Sequence, residues 1–330
     1  MSLNDIRLGM VQAGGRNLKR RVNDMKDYTY GMIGLGKMGG LAVENVLSKG
    51  KKVAVFDVFQ EQVNELSKLG AKGCRTLKEL VDSLEAPRVI WLMVPAGDPI
   101  EEVLFGENGL SQFLSPGDII IDGGNSFYKD SIRRSKRLAE LGISYLDSGS
   151  SGGTEGAKAG LCLMVGGDQE AYNQAKPLFQ ALSQGRGECT YVGPSGAGHY
   201  TKMVHNAIEY GMLQAIGEGF ELLDAAPYDL DLQEIAQLWT KGSIVSGYLM
   251  DLADRAFAKD TDLSQIMGEV GGGSTGSWAI EEAWKVGVPF EAIAVSYAAR
   301  LRSRQNDTFA GKVVAALRNE FGGHAMVKKE

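Results

Sequence analysis

Residues 28–58 read "YTYGMIGLGKMGGLAVENVLSKGKKVAVFDV" and constrain the fold more than any other part of the chain. "YTYGMIGLG" is a short apolar strand that runs into glycines, "KMGGLAVENVLSKG" is a helix closed by Gly50, and "KKVAVFDV" is a second strand. Between the first strand and the helix, Gly34, Gly36 and Gly39 make the pattern G-x-G-x-x-G. The first glycine allows a tight turn, the second lets backbone approach a pyrophosphate, and the third lets helix pack on strand. The helix start then offers free N–H groups and the positive end of its dipole to phosphate. The glycine pattern alone is common; set in a strand–loop–helix–strand unit it specifies a dinucleotide site. The second strand is read as ending at Asp57, about 20 residues beyond the loop, where a carboxylate accepts hydrogen bonds from ribose hydroxyls and repels a 2′-phosphate. Val58, Phe59 and Gln60 bring no cation to hold that phosphate, so NAD is expected over NADP. The plainer alternative is that Asp57 only caps the helix after it.

The same alternation continues. "FQEQVNELSKLG" is a helix with Gly70 just past its end, and strands are expected at 88–94, 117–124 and 143–149, then at "LCLMVGG" and "CTYVG". Short apolar strands alternating with helices imply a mostly parallel, doubly wound α/β sheet of Rossmann type. After Gly193 the strands stop, and the chain reads as helices broken at Pro227, at "GGGSTGS" and at Pro289. The expected organisation is an N-terminal extension at 1–28, a nucleotide-binding domain at 29–196 and an all-α C-terminal domain at 197–330.

Composition narrows the function. A formal charge of −6, from 41 acidic and 35 basic residues, argues against nucleic acid as a partner. No apolar run approaches the length of a membrane span, and the charged start of the chain does not resemble a secretory signal. Cys74, Cys162 and Cys189 have no metal-ligand spacing and read as buried thiols in a reducing cytoplasm.

Two glycine-rich segments fall at carboxyl ends of later strands, where open α/β sheets bind ligands. "DGGNS" carries Asn125; "GSSGGTEGA" carries Ser151, Gly152 and Gly153. Either could be an ordinary tight turn. A third segment, "GHYTKMVHNAIEY", places Lys202, Asn206 and Glu209 on one face of a helix, at i, i+4 and i+7. On a surface helix such a pair of charges is usually only solvated. Here Met203, Val204, Ala207, Ile208, Met212 and Leu213 surround the polar stripe, which suggests a largely buried helix whose stripe faces a cavity.

Together these segments resemble the 6-phosphogluconate dehydrogenases of the β-hydroxyacid dehydrogenase group. The resemblance covers residues 29–330, is most specific in the lysine helix, and extends to the closing "LRNEFGGH". At this length the chain is similar to the short, NAD-dependent form. The resemblance implies oxidation at C3 of 6-phosphogluconate, loss of carbon dioxide from the 3-keto acid, and tautomerisation of an enediol to ribulose 5-phosphate, without a metal. Lys202 is then the base at the C3 hydroxyl and, once protonated, the group that polarises the ketone. A lysine does this work near neutral pH when its pocket is desolvated. Glu209 is the acid that protonates C1 of the enediol left after carbon dioxide departs. Asn206 and His205 orient substrate hydroxyls, Ser151, Gly152 and Gly153 hold the carboxylate end, and Asn125 bridges substrate and cofactor. The implied cofactor contacts are Gly34, Leu35, Gly36, Lys37, Met38, Gly39, Asp57, Val94, Pro95, Ala96 and Asn125.

For the substrate phosphate, the resemblance implies Tyr210 and Arg300, with Arg318 and His324 serving the site of a neighbouring subunit in a homodimer or larger homo-oligomer. "AARLRSRQ" read as helix puts Arg304 on the same face as Arg300 and turns Arg302 away. One loop departs from the family. Where relatives carry a lysine or other charge, "GGGSTGSW" offers Gly273, Ser274 and Thr275, with hydroxyls and N–H groups but no cation. Two other functions stay open at this stage. A dehydrogenase of a small unphosphorylated acid, of the 3-hydroxyisobutyrate type, has no need of the phosphate cations. A dinucleotide-binding sensor has no need of the Lys202, Asn206 and Glu209 set.

Overall fold

Strand-forming segments rich in Val, Ile and Leu build one sheet in a computed structural model of the chain, which describes residues 29–322 and 325–327. The N-terminal extension and His324 lie outside the described residues. The strands are β1 (Thr29–Ile33), β2 (Lys52–Phe56), β3 (Lys72–Gly73), β4 (Val89–Leu92), β5 (Ile119–Asp122), β6 (Ser144–Ser151), β7 (Cys162–Gly166) and β8 (Cys189–Gly193). Their order is β3-β2-β1-β4-β5-β6-β7-β8, and all neighbours are parallel except β6 and β7. The order reverses between β1 and β4, the kind of switch point at whose carboxyl edge nucleotides bind.

Buried on both faces, β4 and β5 read as continuous apolar runs, as central parallel strands do. The helices that cover them are α1 (Lys37–Ser48), α2 (Gln60–Lys68), α3 (Leu77–Asp82), α4 (Asp98–Phe105), α5 (Tyr128–Ala139), α6 (Gly153–Ala159) and α7 (Gln169–Ser183). Val43 and Val46 of α1 and Leu178 and Phe179 of α7 pack with Trp91 and Ile121 in one core layer. Leu80 of α3, Ile100 and Leu104 of α4 and Leu138 of α5 join Ile90 and Ile120 in the other. The sheet is thus sandwiched, and only its edges and strand ends are left for ligands.

The chain divides into two compact units, the first ending at Lys202 and the second beginning at Met203, both within α8 (Ala197–Asp224). The second unit is helical, with α9 (Leu232–Trp239), α10 (Tyr248–Phe257), α11 (Ser274–Lys285), α12 (Glu291–Arg302) and α13 (Phe309–Gly322). Its core is small, centred on Phe220, Leu232, Ala236, Met250 and Phe257. The Phe220 ring packs at a tilt against Phe257 and Trp239, with centroids 4.9 Å and 5.7 Å away.

Four expectations change. β2 stops at Phe56, so Asp57 follows the strand rather than ending it. α8 is not largely buried beyond its second turn: Ile208, Met212 and Leu213 are exposed. α12 ends at Arg302, so Arg304 lies in the turn after the helix rather than on its face. Of the three thiols only Cys74 is buried; Cys162, the first residue of β7, is exposed. Among the described residues no helix is long and apolar enough to cross a membrane.

Candidate active site

The nucleotide loop is built as its glycines require. Gly34 has φ +86°, which an L side chain seldom adopts, and a Cβ there would fall 2.5 Å from the Met93 carbonyl oxygen. A Cβ on Gly39 would overlap the Gly34 carbonyl, so α1 can sit this close to the loop only with glycine there. Around Gly36 nothing lies within 4 Å of a Cβ, which leaves the backbone open for a pyrophosphate. Gly36 precedes α1 with no side-chain cap and no acidic residue in the first turn, so those N–H groups remain available for phosphate.

Asp57 is half-buried and already engaged. Its Oδ2 accepts from the Leu35 amide at 2.6 Å and its Oδ1 from the Phe59 amide at 2.8 Å. The capping alternative is not realised: Phe59 is the N-cap of α2, no side chain caps that helix, and the Asp57–Phe59 bond closes a turn before it. The same carboxylate ties β2 to the glycine loop and keeps lone pairs for further donors. Leu35 is buried, Met38 half-buried and Lys37 exposed; after β4, Val94 is half-buried and Pro95 and Ala96 are exposed.

Asn125 is exposed between two residues fixed from below. The Asp122 carboxylate, fully buried, accepts from the Gly124 amide at 3.1 Å and the Ser126 hydroxyl at 2.7 Å. It also accepts from the Tyr145 hydroxyl at 2.7 Å and lies 3.6 Å from the buried guanidinium of Arg134. Burial, with Asp122 adding to it, pushes the Tyr145 hydroxyl well above its ordinary pKa. Arg134 reaches on to Glu101 at 2.9 Å, where Arg133 also binds at 2.7 Å. Burial works to raise the Glu101 carboxyl, but the Arg134 and Arg133 guanidiniums outweigh it and hold it below the usual range.

Lys202 is buried, with 8% of its surface exposed. It lies against β6 so closely that a Cβ on Gly149 would overlap its own Cβ. That strand ends in Ser151, followed by Gly152 at φ +115° and Gly153, around which the space is open. Along α8, Asn206 and Glu209 fall within about 60° of Lys202 around the axis, and seven residues span about 10.5 Å. His205, Asn206 and Glu209 are half-buried, and His205 Nδ1 lies 3.1 Å from Asn206 Oδ1.

In the second unit, Arg300 stacks its guanidinium 3.7 Å from the centre of the Tyr210 ring. Gly276 admits that ring, since a Cβ would fall 2.5 Å from Tyr210 Cε2. Tyr297 lies beside both Gly273 and Gly276. The loop without a cation of its own receives one from elsewhere. Arg304 donates from Nε to the Val270 carbonyl at 2.6 Å and from Nη2 to the Gly272 carbonyl, and the Ser303 hydroxyl accepts from the Val270 amide. Its Nη2 is 4.0 Å from where a Cβ on Gly273 would stand. Tyr210, Arg300 and the 273–276 turn are thus brought together. Arg318 is exposed on α13.

Sequence reasoning missed Arg304 as a loop partner and the buried acids Asp122 and Asp147. The only signal was for Asp122, which closes the otherwise apolar strand "IIID"; Asp147 lies in the serine-rich strand "SYLDSGSS", where nothing local marks it.

Known proteins share this chain's two-part organisation and fold. The profile of the NAD binding domain of 6-phosphogluconate dehydrogenase matches residues 29–193, and that of the 6-phosphogluconate dehydrogenase C-terminal domain matches residues 198–326. A Bacillus subtilis protein, YqeC, provisionally named a 6-phosphogluconate dehydrogenase, is 48% identical over 91% of this chain and 99% of its own length. A Haloferax volcanii protein named NAD-dependent, decarboxylating 6-phosphogluconate dehydrogenase is 42% identical over the same shares. Among solved structures, Plasmodium falciparum 6-phosphogluconate dehydrogenase, determined with NADP+ and with 6-phosphogluconate, superposes with a TM-score of 0.77. It is 32% identical, and the match covers 91% of this chain and 66% of that one.

Proposed function

The chain belongs to the 6-phosphogluconate dehydrogenase family, and from that premise we propose that it oxidatively decarboxylates 6-phosphogluconate to ribulose 5-phosphate with NAD as oxidant. The observation that carries this reading is the buried Lys202 seated against β6, on the helix stripe that also bears Asn206 and Glu209. A small unphosphorylated acid would leave the Tyr210–Arg300 stack and the cation delivered by Arg304 without a ligand, so the phosphorylated substrate is preferred.

NAD, when bound, accepts the hydride from C3. Lys202 takes the C3 hydroxyl proton as that hydride leaves, and the resulting ammonium stabilises negative charge on the C3 oxygen while the C1 carboxylate departs. Glu209 then delivers a proton to C1 of the enediol. Asn206 and His205 hold hydroxyls between these two groups, the backbone at Ser151–Gly153 receives the carboxylate end, and Asn125 holds the substrate against the nicotinamide. Two groups of different acidity on one helix divide base and acid work between them.

NAD preference rests on Asp57, with Val58 and Phe59 exposed and no cation before α2. Replacing Asp57 by Ala removes both the ribose acceptor and the Leu35 tether. The KM for NAD should rise about tenfold to a hundredfold, and the preference over NADP should shrink. Steady-state kinetics with both cofactors check this, and an unchanged NAD-to-NADP ratio of kcat/KM contradicts it. For the phosphate end, Arg300→Ala should raise the KM for 6-phosphogluconate about tenfold or more and leave kcat within about threefold, because the group is remote from the reacting carbon. A fall in kcat with constant KM would remove Arg300 from phosphate binding.

The reading is tested by following NADH formation spectrophotometrically with 6-phosphogluconate and, in parallel, 3-hydroxyisobutyrate. Turnover of the second in preference to the first would replace it with a small-acid dehydrogenase.

A further inference from the structure

Asp147 is a fully buried carboxylate in β6 that the reaction does not use. Its Oδ1 accepts from the Gly196 amide at 2.7 Å and its Oδ2 from the His199 amide at 2.9 Å. Those two amides open α8, where free N–H groups and the helix dipole favour a negative charge. An ordinary N-cap comes from the residue just before a helix and stabilises that helix wherever it lies. Asp147 is 49 residues from Gly196 in the chain, so its hydrogen bonds fix the helix to the strand.

The surroundings leave this contact little slack. A Cβ on Gly198 would overlap the Asp147 carbonyl and fall 2.5 Å from the Met164 carbonyl, and a Cβ on Gly166 would fall 2.7 Å from the Gly198 amide nitrogen. His199 is buried, and its Nδ1 lies 2.7 Å from the buried Ser131 hydroxyl of α5, a second tie on the same turn. Asp147 and Gly149 are two apart on β6 and so face the same side of the sheet. One holds the first turn of α8; the other, lacking a side chain, receives the Cβ of Lys202 one turn further on.

We propose that Asp147 is a positioning residue for Lys202, locking the first turn of α8 to β6 so that the lysine seats over Gly149 on the strand that ends in Ser151. The proposal rests on the reading of Lys202 as the base, and its consequence is kinetic. A lysine displaced by even an ångström loses alignment with the C3 hydroxyl, whereas the glycine loop and the phosphate contact of Arg300, which lie off this helix, keep their affinity.

Asp147→Asn keeps the shape but turns an amide NH₂ toward one of the two backbone donors. We expect kcat to fall about tenfold or more, with KM for NAD and 6-phosphogluconate within about threefold of the parent. Lys202 should also react faster with trinitrobenzenesulfonate, as read by peptide mass mapping of the whole protein. A kcat within about threefold of the parent, or a KM rising in step with the loss of kcat, overturns the proposal. If the parent does not turn over 6-phosphogluconate, the functional reading fails and the labelling rate alone decides the positioning: an unchanged rate overturns it. If D147N does not fold, Gly149→Ala, which pushes on Lys202 directly, is judged by the same criteria. If neither folds, hydrogen exchange in the parent decides. Strong protection of the Gly196 and His199 amides is expected, and exchange at the rate of the exposed loop after α8 overturns the proposal.

Discussion

Replacing Lys202 with Met is expected to lower kcat about a thousandfold or more, because in the proposed reaction one side chain serves as base in the oxidation and as electrophile in the decarboxylation. Methionine keeps an unbranched stem against Gly149, so the seat on β6 is preserved while the amine is removed. The loss should therefore appear in kcat, with the Kd for NAD by calorimetry within about twofold of the parent and the unfolding midpoint little changed. Activity within about tenfold of the parent would take Lys202 out of the mechanism.

The second large effect is on stability. Asp122→Ala takes one of its two carboxylates from the Arg134 guanidinium, itself 1% exposed, leaving it Glu101 alone, and leaves the Tyr145 and Ser126 hydroxyls without their acceptor. Removing one partner of a buried pair costs about 3–5 kcal/mol, much of it the penalty of the charge left behind. Urea unfolding should show the midpoint falling with an unchanged slope. A loss of under about 1 kcal/mol would mean that water replaces the carboxylate at no cost. The Glu101 end of the same network has a direction in pH. Its carboxyl is held below the usual range, so the stability it contributes is present above the ordinary glutamate value. That contribution is lost as pH falls through the lowered one.

These two acids show why the site was only partly legible in the sequence. The glycine loop is a local device: Gly34, Gly36 and Gly39 meet backbone within the same strand–helix unit, and their spacing carries the geometry. The buried strands were legible for the same reason, since apolar runs such as "IIID" have no other place to go. What failed was non-local or weakly apolar. β3 is a two-residue strand with no hydrophobic pattern, and the antiparallel turn of β7 against β6 follows a seven-residue helix too short to signal a crossover. Arg304 was read from helical periodicity, yet the helix ends two residues earlier and the side chain goes to carbonyls more than thirty residues away in sequence. The apolar side of α8 promised burial, but periodicity gives a face and not the neighbour that covers it. Asp122 closes an apolar strand, where sequence marks an oddity without naming the hydroxyls that satisfy it, and Asp147 sits among serines in β6, where no local pattern points to the amides it binds.

The family accounts for the shared fold and the dehydrogenase chemistry; it does not by itself choose the oxidant. The Haloferax volcanii relative is named NAD-dependent and the Plasmodium falciparum structure was solved with NADP+. For this chain the group we propose to decide it is Asp57, whose carboxylate is bound to the glycine loop.

The central claim is that hydride transfer and loss of carbon dioxide occur on one substrate under the control of Lys202. It is tested most directly by incubating the protein with NAD and 6-phosphogluconate labelled with carbon-13 at C1, and measuring NADH and labelled carbon dioxide together. Equimolar NADH and labelled carbon dioxide, with ribulose 5-phosphate as the remaining product, is the predicted result. NADH without labelled carbon dioxide, or no NADH at all, would contradict it.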